Sequence, residues 1–310
     1  MTETEWPATG PGAAEHGAAE HGAAGLEVVR PGPLTTVQDL GRRGVAHLGV
    51  PRAGALDEPA LRAANRLVGN PDGAAALETT VGGVALRALG AVLVAVTGAP
   101  APVTVDGRPA AWGTAVRVPA GAVLEVGPAT HGVRSYLAVA GGLAVPAVLG
   151  SRSTDLLSGL GPARLAGGDR LPVGPPAAGP RADLVPAAAP PAELVLRLRL
   201  GPHTDWFTTV HGLARDTYRV AAASNRVALR TEGPGLRRAR PGELPSAGMV
   251  LGAVQVPPDG QPVVFLADHP TTGGYPVVGV VPAPDLAAAA QARPGTPVRF
   301  VLLRGHGLPL

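Results

Sequence analysis

The chain is 310 residues long, 45% hydrophobic and only 16% charged, with a formal net charge of +3. That length suggests roughly two domains with ample cores, and the apolar fraction rules out a wholly disordered chain. There is no cysteine and, among 26 basic residues, no lysine, which excludes disulfides, thiolate nucleophiles, zinc–thiolate sites, Schiff-base chemistry and a Walker-type phosphate lysine.

Residues 1–24 are low in complexity, with GAAEH twice in tandem, and are expected as a solvated tail outside the fold. They begin with acidic residues and hold no apolar core of a signal peptide, so a cytoplasmic protein is expected. A first domain is expected over 25–173. Its one helix is 57–69 (DEPALRAANRLVG), with Asp57 as N-cap, Leu61, Ala64, Leu67 and Val68 on one face, and Gly69-Asn70-Pro71 as the stop. The apolar period then shifts to two, predicting strands at 92–96, 103–105, 115–118, 123–126 and 136–139, with hairpin turns at Asp106-Gly107 and Ala120-Gly121.

Residues 174–192 are a Pro/Ala linker, stiff enough to divide two domains. The second domain is expected over 193–310. LVLRLRL alternates apolar residues with arginine, as a half-exposed strand does. A short helix is expected at 205–212, strands at 218–222, 227–232, 263–267, 277–281 and 298–303, and a helix capped by Asp285 at 285–293. Glycine (44) and proline (35) punctuate these runs throughout. The fold class expected is mainly β, two β domains with a few short helices, for which small closed barrels are the economical way to hide strand edges. No apolar stretch is long enough to span a membrane. The Arg237-Arg238-Ala239-Arg240 run lacks interleaved aromatics, so no nucleic-acid partner is expected.

The densest polar cluster is 255–275 (QVPPDGQPVVFLADHPTTGGY). An apolar strand there delivers Asp268, His269, Thr271, Thr272, Gly273, Gly274 and Tyr275 into one short loop, with Gln255 and Asp259 beside it. Asp268 and His269 suit general acid–base work, and glycine-loop amides suit an anionic ligand. The same residues also fit an ordinary turn in which Thr and Asp satisfy backbone groups. Composition alone leaves both readings open. A second cluster, 34–57, offers Gln38, Asp39, Arg52 and Asp57, and a third, 224–232, offers Asn225 and Arg226. In 149–156, Ser151 and Ser153 do not form a G-x-S-x-G elbow, against a serine hydrolase. No metal site is expected from these sets.

These segments resemble a known family. RPGPLTTVQDLGRRG, GVPRAGALD, LVGNPDGAAALE, YLAVAGGLAVPAVLGSRSTDL, SNRVALRTEG and above all GAVQVPPDGQPVVFLADHPTTGGYP are similar to the C subunit of bacterial 5-oxoprolinase, in the biotin-dependent carboxyltransferase-like (allophanate hydrolase subunit 2) family. Three departures stand out. Ala53 and Ala247 occupy positions where the family has Ser and commonly an acidic residue, and Val227-Ala228 replaces Met-Gly.

The resemblance implies tandem cyclophilin-like β-barrel domains. It implies two partners, the kinase-inhibitor-like B subunit plus the A subunit, without which the chain is inactive. The implied activity is ATP-dependent opening of 5-oxoproline to glutamate, with magnesium ATP engaged by the complex and nucleotide binding shared within it. The resemblance also carries two alternatives. One is the carboxyltransferase component of a biotin-dependent, urea carboxylase-like system. The other is a non-catalytic regulator that sequesters a B-type, kinase-inhibitor-like partner.

Overall fold

The computed structural model describes residues 25–189 and 191–303; the expected tail at 1–24 lies outside them. The N-terminal half contains β1 (Gly25–Arg30), β2 (Thr35–Gln38), α1 (Glu58–Leu67), β3 (Ala76–Thr80), β4 (Val84–Ala88), β5 (Val92–Gly98), β6 (Val103–Val105), β7 (Arg108–Ala110), β8 (Ala115–Val118), β9 (Val123–Val126), β10 (Arg134–Val139) and β11 (Arg170–Pro172). They form a six-stranded sheet, β11-β1-β4-β9-β6-β7, and a five-stranded sheet, β2-β3-β10-β5-β8. Leu26, Val28, Leu86, Val94, Leu124, Leu137 and Val139 share one core between the sheets. The outer face of the five-stranded sheet is small (Ala76, Ala95, Ala138), and α1 seats Leu61, Ala64 and Leu67 on it. Strand β10 is therefore buried on both faces.

The N-cap is as expected: the Asp57 side chain accepts from Ala60 N at 3.0 Å. Asp106 and Gly107 both have positive φ and turn the β6–β7 hairpin. Ala120-Gly121 is not a hairpin. It carries the chain from one sheet to the other, since β8 pairs with β5 whereas β9 pairs with β4 and β6.

The C-terminal half contains β12 (Leu194–Leu200), α2 (Gly212–Arg215), β13 (Tyr218–Val220), β14 (Ala228–Glu232), β15 (Ala247–Gly248), β16 (Ala253–Gln255), β17 (Val263–Phe265), β18 (Thr272–Gly273), β19 (Val277–Val280), α3 (Ala283–Gln291) and β20 (Pro297–Leu302). Seven of these strands close a barrel in the order β12-β19-β16-β17-β14-β13-β20, shut by a parallel β12–β20 pair. Leu194, Leu196 and Leu198 point inward and Arg197 and Arg199 outward, the alternation expected. Tyr218 and Phe300 meet edge to face at 5.6 Å inside the barrel.

The helix expected at 205–212 is absent. A 3-10 turn covers Thr204–Trp206, and Thr208 N instead donates to Arg237 O at 3.0 Å. Asp285 does not cap α3; its carboxylate binds Arg197 N (2.8 Å) and the Arg197 guanidinium. Part of the segment expected as a linker packs along the N-terminal half. Arg181 N donates to Arg66 O and Val185 N to Gly113 O, both at 2.8 Å, while Ala182 and Val185 lie against the α1 layer.

The two halves share a seam. Leu56, from the N-terminal half, inserts into the C-terminal barrel core, and Ala53 N donates to Ala267 O at 3.0 Å. No helix among the described residues is long and apolar enough to cross a membrane.

Candidate functional site

The seam is pinned by a buried ionic lattice. Arg226, only 3% exposed, grips both oxygens of Asp268 (Nε–Oδ2 2.8 Å, Nη2–Oδ1 2.9 Å) and donates through Nη2 to Gly54 O at 2.7 Å. Its Nη1 pairs with Glu78 across the seam. Glu78 also accepts from Tyr136 Oη (2.7 Å) and Leu56 N (3.1 Å), and Arg134 Nε stands 3.7 Å from it. From α3, Gln291 accepts from Val133 N and Arg134 N at 2.9 and 3.0 Å and donates to Asp57 at 2.8 Å.

The titration of these groups follows from the geometry. Burial would raise Glu78, but Arg226 and Arg134 hold its carboxyl below the usual range. Burial would lower Arg226, yet Glu78 and Asp268 hold it well above its ordinary value. Burial pushes Asp268 upward against the pull of the Arg226 fork. Burial, reinforced by Glu78, also drives Tyr136 far up, so its hydroxyl stays a donor.

Consecutive residues on the loop after β17 line different clefts. Asp268 faces a cleft of about 630 Å³ together with Asn225, Arg226, Arg134, Val81, Leu156 and Leu157. His269 and Thr271 line a second cleft of about 340 Å³ with Arg42, Arg43 and Arg52. The His269 ring stacks on Phe265 at 6.0 Å, and its Nδ1 lies 2.7 Å from Pro270 O. That contact assigns the proton to Nδ1 and leaves Nε2 as the free ring nitrogen. Burial, with Arg52 nearby, lowers the His269 pKa despite the Pro270 carbonyl, so the neutral ring is favoured.

The remaining predicted residues serve other purposes. Asp268, expected as a general acid or base, is 0% exposed and has both its oxygens held by Arg226. Asp39 accepts from Gly41 N, Ser151 Oγ, Ser153 Oγ and Arg152 N at 2.6–2.8 Å, and Gln38 binds Thr36 Oγ1 and Thr154 O at 3.0 Å. Both are buried ties that hold the 151–154 loop on β2. Asp57 caps α1. Asn225 caps its own turn, accepting from Val227 N at 2.8 Å at the edge of the wide cleft. Asp259 does the same for Gln261 N at 3.0 Å and lines neither cleft.

Thr272 and Gly273 form β18 against β15, and Tyr275 is exposed. Gly273 lacks a positive φ, and a Cβ there would come within 2.7 Å only of Gln255 Nε2, the movable end of a side chain, so glycine is not demanded by the backbone there. Gln255 Nε2 in turn donates to Tyr275 O at 3.1 Å, holding the loop down. The Gly273-Gly274 amides therefore stand away from both clefts. Glu78, Arg134, Tyr136 and Gln291 were not singled out from the sequence. No sequence signal marks Glu78, because ALETT does not read as a buried strand.

The family model of the carboxyltransferase domain, subdomain A and B, matches residues 48–302. The chain belongs to the carboxyltransferase domain family. Within it, the chain is 40% identical over 284 residues to the C subunit of 5-oxoprolinase from Escherichia coli (strain K12), covering 89% of this chain and 90% of that protein. Among solved structures, it superposes on TTHA0988 with a TM-score of 0.82 at 38% identity, covering 95% of this chain and 60% of that one. The K. lactis urea amidolyase gives a TM-score of 0.85 at 31% identity, covering 91% of this chain but only 19% of the relative. The matched span of the family model includes Arg52, α1, Glu78, Arg226 and the 268–275 loop, so the lattice falls inside it, whereas Arg42 and Arg43 of the second cleft precede it.

Proposed function

We propose that this chain is the C subunit of an ATP-dependent 5-oxoprolinase complex, which opens the lactam of 5-oxoproline to glutamate. The observation that carries the reading is the near end-to-end match, 89% of this chain on 90% of a stand-alone C subunit of 5-oxoprolinase. Urea amidolyase, by contrast, is covered over only 19% of its length. The A and B partners and a cytoplasmic setting are part of this proposal.

A five-membered lactam is a resonance-stabilised amide that water attacks slowly at neutral pH. Activating its oxygen with a phosphoryl group makes a better electrophile, and the developing charge then needs fixed cationic and N–H donors. On this chain the arginine-lined cleft supplies those donors. Among the described residues no three or more His, Asp or Glu side chains group as a metal site requires. Magnesium is proposed to arrive on the nucleotide rather than on this chain.

His269 is the group we assign to proton transfer. Its Nε2 is free, burial keeps the ring neutral, and it lines the cleft. Thr271 and Arg52 orient the substrate, and Asp268 acts through Arg226 as a positioning residue.

The test is co-purification with the A and B partners, followed by an assay of glutamate release with ATP and 5-oxoproline. The expected result is no turnover by the chain alone, turnover by the complex, and a loss on the order of 10²-fold or more in His269→Asn with assembly intact. An intact complex that releases no glutamate refutes the reading. Carboxyl transfer to a urea-like acceptor would then select the carboxyltransferase alternative, with biotin carried on another chain because none of the 310 residues is lysine. Tight capture of the B partner with no turnover in any combination would select a regulatory binder.

A further inference from the structure

The second cleft contains a buried cation with no counter-ion. Arg42 is 2% exposed, yet its guanidinium meets only carbonyls, Val148 O at 3.1 Å and Ser153 O at 2.6 Å. Its Nη1 is sealed from water without an acceptor, and among the described residues no carboxylate lies within salt-bridge distance of it. A buried guanidinium without an anion is costly to the folded chain.

The neighbouring charges deepen the imbalance. Arg43 and Arg52 line the same cleft and share one carboxylate, Glu58, which also pairs with Arg62. Arg43 is 3.9 Å from that carboxylate with its side chain 65% exposed, so its guanidinium is available to a ligand. Arg52 Nε, too, is buried without an acceptor. No Asp or Glu lines the cleft; its other polar side chains are His269 and Thr271. A monocarboxylate satisfies one guanidinium fork. Three guanidinium charges against the single Glu58 carboxylate, with a hydroxyl and an imidazole beside them, match the multiple charge of a phosphoryl group.

We infer that the cleft formed by Arg42, Arg43, Arg52, Thr271 and His269 binds a phosphoryl anion, with the exposed Arg43 as its direct contact and Arg42 as the unneutralised charge behind it. The inference rests on the 5-oxoprolinase reading only for the source of the phosphoryl group. The anion chemistry stands on the cleft alone.

The experiment titrates the purified full chain with inorganic pyrophosphate, inorganic phosphate, ATP and, as a carboxylate control, acetate, by calorimetry at two salt concentrations. Phosphoryl probes are expected to bind, more weakly at higher salt, and acetate to bind at least about tenfold more weakly. Arg43→Gln, on the exposed rim, should weaken pyrophosphate roughly tenfold or more while the melting temperature holds. Arg42→Gln should also weaken binding by removing the charge behind the cleft, and Arg43→Gln keeps the test decisive if that variant does not fold. The exposed Arg117→Gln, on β8, should change nothing.

Competition by ATP names a nucleotide as the source, and binding of phosphate or pyrophosphate alone names the free anion; either supports the inference. Binding no tighter than acetate, or equal in Arg43→Gln and the parent, overturns it. Glutamate release by the complex despite such a result would leave the 5-oxoprolinase reading standing, so the two failures are distinguishable.

Discussion

Replacing Arg226 by methionine tests whether the lattice is what joins the two halves. The substitution keeps the long stem and removes the charge. Asp268, at 0% exposure, then loses the partner of both its oxygens, and Glu78, at 1%, retains Tyr136, Leu56 N and Arg134 at 3.7 Å. Leaving a buried charge without its partner costs about 3–5 kcal/mol. At about 2.1 cal/mol/K per residue, the described residues carry an unfolding entropy on the order of 0.6 kcal/mol/K, so the melting midpoint should fall by roughly 5–8 °C. Calorimetry at pH 7 measures it.

The deficit should narrow as pH falls. Without the guanidinium, burial acts unopposed on Asp268, whose folded-state pKa then lies above its unfolded value, and the folded state takes up the proton first. Adding Asp268→Leu removes the orphaned charge and should restore at least about half of the loss. A single variant within about 1 kcal/mol of the parent, or a double variant whose losses simply add, would refute the reasoning.

Val81 has φ 56° although it is β-branched and 45% exposed, so Val81→Gly should gain about 1 kcal/mol in denaturant unfolding; a loss would show that its packing outweighs the strain. Asp57→Ala removes both the α1 cap and the Gln291 tie and should cost about 1–2 kcal/mol by the same measurement. Burial depresses the His269 pKa below 6.5, so the unfolded state binds the proton first and stability should fall as pH drops below about 6.5. In His269→Gln that part of the slope should vanish from a pH series of melting points; an unchanged slope would assign it to other groups.

Much of the fold is legible where one strand face meets water. LVLRLRL reads correctly because alternate arginines are exposed, and α1 reads correctly because Asp57, the apolar stripe and Gly69 agree. Strands β2 and β3 do not read, because TTVQ and ALETT bury hydroxyls, an amide and a carboxylate where a strand pattern calls for apolar residues. The same polarity is what builds the seam.

At the site, local pattern places His269 and Thr271 on one loop, but it does not show that Arg52, from the separate cluster at 34–57, reaches the same cleft. It gives no hint that Glu78 meets Tyr136 58 residues away or Arg226 148 residues away. It also makes Asp268 look reactive, because nothing nearby in the chain shows that a distant arginine occupies both of its oxygens.

Both halves are stitched first to last: β1 pairs with β11, and β12 with β20. During synthesis neither half can acquire all its pairings until its final strand leaves the ribosome. The N-terminal sheets can mature while the rest is being translated, whereas the barrel must wait for residue 302. Until then Glu78 lacks its Arg226 partner, and Leu56 lacks its greasy socket. A translating ribosome stalled short of β20 should hence display a protease-sensitive second half attached to a resistant first one.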